Sequence, residues 1–217
     1  MDGSKVIFQK LNILSRFESC EYIEYPSEIK DNWCSDILLG KFNCILIGFS
    51  FGGVLAQHLA RSFPAQVMGV IIINSACHMQ YISHPYGFLK SILNRLPEQI
   101  TSQLYRLHIR RLIKDEGIDK ALLDIYLKEI SRYHFVRNRL NILPRLWSVK
   151  RYPAPILWFH SKHSKELRFN EIDIRNNYPK AEIVTLNSGH RACLTHSDIF
   201  ESEISSWFGR LGFYVLA

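Results

Sequence analysis

The sequence predicts an α/β fold, a mostly parallel sheet flanked by helices, with a helical lid inserted between two of its strands. Three features predict it. Cys44 to Ile47, Val67 to Asn74 and Ile156 to Phe159 read as apolar strands of the kind buried on both faces of a sheet. The tract Gly48-Phe49-Ser50-Phe51-Gly52-Gly53 joins the first of them directly to a segment with apolar residues at helical spacing. From Ser75 to about Lys150, helical patterns follow one another with no strand between them, too long a stretch for one crossover.

The boundaries follow from this reading. Residues 1–76 and 151–217 form the core, and residues 77–150 form the lid. A chain of 217 residues with 47% hydrophobic and 22% charged residues suits one globular domain with an insertion. The formal net charge of +7 favours acidic partners or a soluble surface. Cys20, Cys34, Cys44, Cys77 and Cys193 lie far apart with no C-x-x-C pair, so reduced thiols, a cytoplasmic setting and no zinc site are expected. No stretch reaches the ~18 apolar residues of a membrane span, and Met1 to Lys10 has no apolar leader. A monomer that binds no nucleic acid and uses no cofactor or metal is expected.

Each element has a local reason. Val6, Ile7, Leu11 and Leu14 predict a short amphipathic helix over Lys5 to Leu14. Cys20 to Tyr25 alternates as a strand and stops at Pro26, and a short helix is expected around Trp33 to Leu39. Phe42 to Ile47 is the next strand, and the helix after Ser50 runs to Phe63, where Pro64 ends it. Within the lid, helices are expected over Gln103 to Lys114 and Lys120 to Asn138, with Tyr81, Tyr86 and Phe88 before them. The lid's aromatic and aliphatic residues serve either as its own core or as the wall of an acyl pocket. Asn170 to Tyr178 reads as a helix, and Ala181 to Leu186 as the last strand. An amphipathic helix through Trp207 closes the chain.

The turn at Ser50 carries the chemistry. A strand that turns straight into a helix holds its middle residue in a strained conformation, and side chains on either side would collide. Gly48 and Gly52 are read as removing those side chains, and Gly53 as letting helix and sheet pack closely. The hydroxyl of Ser50 is then raised at the sheet edge near the positive end of the helix. The backbone N–H of Phe51 points where an oxyanion would form. Late in the chain, Ser188-Gly189-His190 follows the last strand and offers an imidazole.

Together with the lid position, Pro155 to Phe159, His196 and Phe200, these motifs resemble the α/β-hydrolase fold. The sequence is most similar there to the pimeloyl-carrier-protein methyl ester esterases of biotin synthesis. The resemblance covers nearly the whole chain. It implies that Ser50 is the nucleophile and His190 the general base of a carboxylesterase, with an acid between them in chain order. It also implies a small acyl-ester substrate, carried in these relatives on acidic acyl carrier protein. Arg106, Arg110, Arg111 and Lys114 fall near one side of a lid helix and are either a solvated face or a docking patch for such a partner.

Two departures from that family stand out. Its acid follows the strand Ile156 to Phe159 in an H-G-x-x-D pattern, but this chain reads His160-Ser161-Lys162-His163-Ser164. Ser164 therefore stands at the acid position. Losing the acid lowers the rate by ~10⁴ in a triad. Glu166, two residues on and one methylene longer than Asp, is the nearest substitute, and Asp173 is less well placed. The family's second oxyanion donor comes from an H-G-x-G loop, and this chain begins where that loop would end. The resemblance thus implies a shortened N-terminus, with Gly3 the one residue positioned to offer a substitute N–H. His196 reads as packing, and His160 with His163 lacks further ligands at metal spacing.

The sequence thus supports a serine carboxylic-ester hydrolase. Two readings stand beside it: a catalytically degenerate relative kept as a binding module, and a general short-chain esterase.

Overall fold

The computed structural model describes residues 5–17, 19–23, 32–78, 95–114, 116–130 and 152–213. Its centre is a four-stranded parallel sheet in the order β1 (Cys44–Phe49), β2 (Val67–Ile73), β3 (Ile156–Ser161), β4 (Ala181–Leu186). All three strand pairs are parallel, which requires each connection to cross over one face of the sheet. Val70 to Ile73 and Leu157 to Phe159 are 0% exposed, so the middle strands are covered on both faces, as their unbroken apolar runs require. Each such side chain contributes about 1.5–3 kcal/mol of burial.

The helices lie where the spacing puts them. They are α1 (Trp33–Leu38), α2 (Phe51–Ser62), α3 (Glu98–Leu112), α4 (Lys120–Ile130), α5 (Glu171–Asn177), a short α6 (Ala192–Thr195) and α7 (Ser197–Leu211). Helix α2 returns antiparallel across β1 and β2 and buries Val54, Leu55, Leu59 and Ala60. Asn170 caps α5 by accepting from the Asp173 N–H at 3.2 Å, and Gly212 ends α7 in the left-handed conformation. Helices α3 and α4 fall between β2 and β3, in the expected lid. Tyr81, Tyr86, Phe88 and the far end of the Lys120 to Asn138 helix lie outside the described residues.

Two N-terminal expectations need correction. Lys5 to Leu14 does not form one α-helix but two 3-10 turns, Lys5–Phe8 and Asn12–Arg16, which still bury Val6, Ile7, Ile13 and Leu14. Runs of four and five residues suit 3-10 geometry, and packing of the buried apolar side chains, not helical periodicity, decides the local form. Residues 20–23 are not in a strand despite their alternation, because no described strand lies beside them to complete a ladder. Instead they flank a groove of about 510 Å³ along the outer edge of β1, with Lys5, Phe8, Phe42 and Ile45 among its other walls. Among the described residues, β1 is paired only on the β2 side.

Candidate functional site

Ser50 sits between β1 and α2 with φ 52° and ψ −116°, a conformation that costs a non-glycine residue about 1–3 kcal/mol. The glycines around it explain how the bend is tolerated. A Cβ on Gly48 would lie 2.3 Å from the carbonyl oxygen of Gly52, and one on Gly53 would lie 2.4 Å from the Cβ of Ser75. A Cβ on Gly52 would meet nothing within 4 Å. Close approach is therefore required at Gly48 and Gly53, and the steric role expected of Gly52 is not seen. Phe51 is the first residue of α2, so its N–H belongs to the helix N-terminus beside Ser50.

The chain brings His190 to this bend from 140 residues away. Its Nε2 lies 3.0 Å from Ser50 Oγ, and its Nδ1 lies 2.9 Å from Ser164 Oγ. The imidazole is fully buried and packs on Phe49, with ring centroids 5.0 Å apart. Its backbone is also fixed: the Asn74 side-chain amide donates to the His190 carbonyl at 2.5 Å and to Ser161 Oγ at 2.8 Å, while Asn74 Oδ1 accepts from the Ser161 N–H at 2.7 Å. Asn74 holds φ 44° at the end of β2 to do this. Ser161 Oγ is in turn 3.0 Å from Ser188 Oγ. One amide thereby ties the ends of β2 and β3 to the histidine loop.

Behind the histidine lies a buried charge cluster. Arg191 Nη1 donates to Glu166 Oε1 at 2.6 Å and to Glu116 Oε1 at 3.0 Å, while the Arg191 N–H donates to Glu116 Oε2 at 2.9 Å. Nε of Arg191 reaches the Tyr126 hydroxyl at 3.2 Å. Burial opposes ionisation of Glu166, but the His190 ring and the Arg191 guanidinium outweigh it and pull the carboxyl down to about 2. Burial pushes Glu116 up despite the same arginine. Glu116, in the link between α3 and α4, also fills the space a side chain on Gly189 would need, with its Cγ 2.5 Å from a Cβ built there. The link between α3 and α4 is thus packed against the residues on either side of the histidine.

Of the residues singled out in the sequence, Ser50, His190 and Ser164 come together in one hydrogen-bonded line. Glu166 lies in the same region, but its bonded oxygen is on Arg191, and Oε2 has no hydrogen-bond partner among the described residues. Ser164, rather than Glu166, is the group on Nδ1. Asp173 is turned to Asn170 within its own helix cap. Arg106, Arg110 and Arg111 on α3 and Lys114 just beyond it are exposed, and Arg110 pairs with Asp124 of α4 at 2.9 Å. His160 stacks on Phe169 with centroids 3.7 Å apart, and His163 Nε2 lies 2.8 Å from Asn187 Oδ1. His196 precedes α7, its Nδ1 2.8 Å from Thr195 Oγ1. Gly3 lies outside the described residues. Asn74, Arg191, Glu116 and Tyr126 carried no sequence signal of their own, since each acts through a partner distant in the chain.

The overall fold recurs in solved structures. The chain superposes with a TM-score of 0.69 on a meta-cleavage product hydrolase from Pseudomonas fluorescens IP01, at 15% identity, covering 97% of this chain and 88% of that one. It matches a 2-hydroxy-6-oxo-6-phenylhexa-2,4-dienoate hydrolase from Rhodococcus sp. strain RHA1 with a TM-score of 0.62, at 19% identity, over 89% and 76% of the two chains. This chain has the α/β-hydrolase fold. An esterase from Thermogutta terrifontis gives a TM-score of 0.64 at 14% identity, over 82% of this chain and 68% of that one. Among curated proteins, the sn-1-specific diacylglycerol lipase ABHD11 of Mus musculus is 25% identical over 175 residues, 74% of this chain. The chain spans 56% of that relative's length. No family model matches the sequence.

Proposed function

We propose that the protein is a serine hydrolase of carboxylic esters, with Ser50 as nucleophile and His190 as general base. The observation that carries this is the line Ser50 Oγ, His190 Nε2, His190 Nδ1, Ser164 Oγ, with spacings of 3.0 and 2.9 Å at a strained strand-to-helix bend. Neutral His190 donates from Nδ1 to Ser164 and accepts the Ser50 proton at Nε2 as the hydroxyl attacks the acyl carbonyl. The Phe51 N–H and the N-terminus of α2 face the developing oxyanion. The imidazolium then protonates the leaving alcohol, and water, deprotonated by the same ring, releases the acid from the acyl-enzyme.

In this site two residues share the work of the usual acid. Ser164 fixes the tautomer and orientation of the ring but carries no charge. Glu166 carries the charge: against the cost of burial, the His190 ring and Arg191 hold its carboxyl in the ionised form. A weaker base than a full triad follows.

For the substrate, the diacylglycerol lipase relative supports an acylglycerol-type ester. The carrier-bound pimeloyl methyl ester rests on the family resemblance and on the four exposed basic side chains of the lid, and a general short-chain esterase fits the same site. Release of p-nitrophenol from butyrate and octanoate esters, set against a carrier-bound and a free methyl ester, orders these substrates. A folded protein with no turnover of any of them sinks the hydrolase proposal and leaves the binding-module reading, which the serine at position 164 favours.

A further inference from the structure

Helix α3 has two apolar faces, and among the described residues only one of them is buried. Thr101, Tyr105, Ile109 and Ile113 point inward and are at most 8% exposed. On the opposite side Ile100, Leu104 and Leu107 are 44%, 46% and 52% exposed. At 100° per residue these three fall on one line, spanning ~10 Å of helix, and Arg111 and Lys114 continue it. Single exposed leucines are ordinary, but three in a row on one helix form a contiguous apolar stripe. The stripe also has a charge sign: between Glu98 and Asp115 there are four Lys or Arg residues and no carboxylate, and of these four Arg110 pairs with Asp124. Ile125, on the neighbouring α4, is 50% exposed as well.

We infer that the Ile100–Leu104–Leu107 stripe, with Arg111 and Lys114 at its end, docks this protein on an anionic lipid surface. The three apolar side chains enter the acyl boundary. The long arms of Arg111 and Lys114 lie along it with their charges among the headgroups. A bilayer offers an apolar layer beneath anionic headgroups, which matches an apolar stripe that ends in two cations. The location serves the site as well. Two residues past Lys114, Glu116 is held by Arg191, the neighbour of His190, so a surface that takes α3 is brought to the catalytic loop. The choice of a lipid ester as substrate rests on the hydrolase proposal, but the docking itself does not.

The test is sedimentation of the full chain with vesicles of phosphatidylcholine containing phosphatidylglycerol, against phosphatidylcholine alone. Binding is expected to the anionic vesicles, to weaken with added salt, and to fall at least about tenfold in Ile100→Ser/Leu104→Ser/Leu107→Ser and about tenfold in Arg111→Glu/Lys114→Glu. The charge variant leaves the apolar residues in place, so it tests the surface even if the triple variant folds poorly. Ser50→Ala is expected to bind vesicles as the wild type does, which separates docking from catalysis. Short-ester turnover in the charge variant stays at the wild-type level if the hydrolase proposal holds. Vesicle binding that is absent in folded protein or indifferent to both variants overturns the inference. So does retention on immobilised acidic carrier protein, rather than on vesicles, through Arg111 and Lys114.

Discussion

The hydroxyl of Ser164 stands 2.9 Å from Nδ1 of His190, where a carboxylate completes the hydrogen-bonded line in the esterases this sequence resembles. In the proposed mechanism a serine there orients the ring but adds no charge, so Ser164 is expected to limit the rate. Ser164→Asp is expected to raise kcat on p-nitrophenyl esters by ~10²-fold or more, a part of the ~10⁴ that a triad carboxylate supplies. Ser164→Ala is expected to cost roughly fivefold, the worth of one neutral hydrogen bond of about 1 kcal/mol. Steady-state kinetics of the two variants at one pH decides this, and a Ser164→Asp variant slower than wild type counts against it.

Arg191 holds together the charge cluster behind the histidine. Its side chain is 0% exposed and bonds two carboxylates at once. Arg191→Gln leaves Glu116 and Glu166 facing each other in a buried place, which costs about 3–5 kcal/mol when one member of such a cluster is removed. Glu166→Gln is expected to be milder in stability, since Arg191 keeps Glu116, but to lower kcat by weakening the charge near the imidazolium. Urea midpoints and kcat for both variants separate the two effects.

The glycines of the bend make opposite forecasts from the same substitution. Gly53→Ala places a methyl group 2.4 Å from the Cβ of Ser75 and is expected to destabilise by about 1–3 kcal/mol, with loss of activity as α2 moves. Gly52→Ala has open space and a helical position, and is expected to be neutral or to stabilise by about 0.5 kcal/mol. Thermal melts of the pair check it.

Much of this was legible before any coordinates, and the reason is local. The bend needs glycines within a few residues of Ser50, and strands buried on both faces need unbroken apolar runs, so both leave marks in short windows of sequence. The histidine after β4 was legible for the same reason. The tie from Asn74 to the His190 carbonyl spans 116 residues, and the contact of Glu116 with Arg191 spans 75. No window contains both partners of either. The strand expected over Cys20 to Tyr25 is missing at its described residues 20–23 for a different reason: alternation records which side chains are wanted inside, but a strand exists only beside another strand. Glu166 was drawn to the right region by its spacing, and only the structure shows that Arg191 holds it.

His160 sets a pH limit on stability. Burial against Phe169 holds its pKa down to about 4, from an ordinary value of 6.5. The folded state therefore keeps the ring neutral, and the contribution of His160 to stability is complete above about pH 6.5. It falls as pH drops from 6.5 to about 4, where the unfolded chain binds a proton that the folded chain refuses. Glu166 adds a further loss at lower pH, between about 4.5 and 2, since its carboxylate form is the one the fold favours. His160→Phe keeps the stacked ring and is expected to flatten the dependence of Tm on pH between 6.5 and 4.

The pairing of Ser50 with His190 is tested most directly by a fluorophosphonate probe followed by peptide mapping. Rapid covalent labelling at Ser50 is expected, with none in Ser50→Ala and labelling slowed at least about a hundredfold in His190→Gln. Folded wild-type protein that resists the probe, or that is labelled at a different serine, contradicts the account.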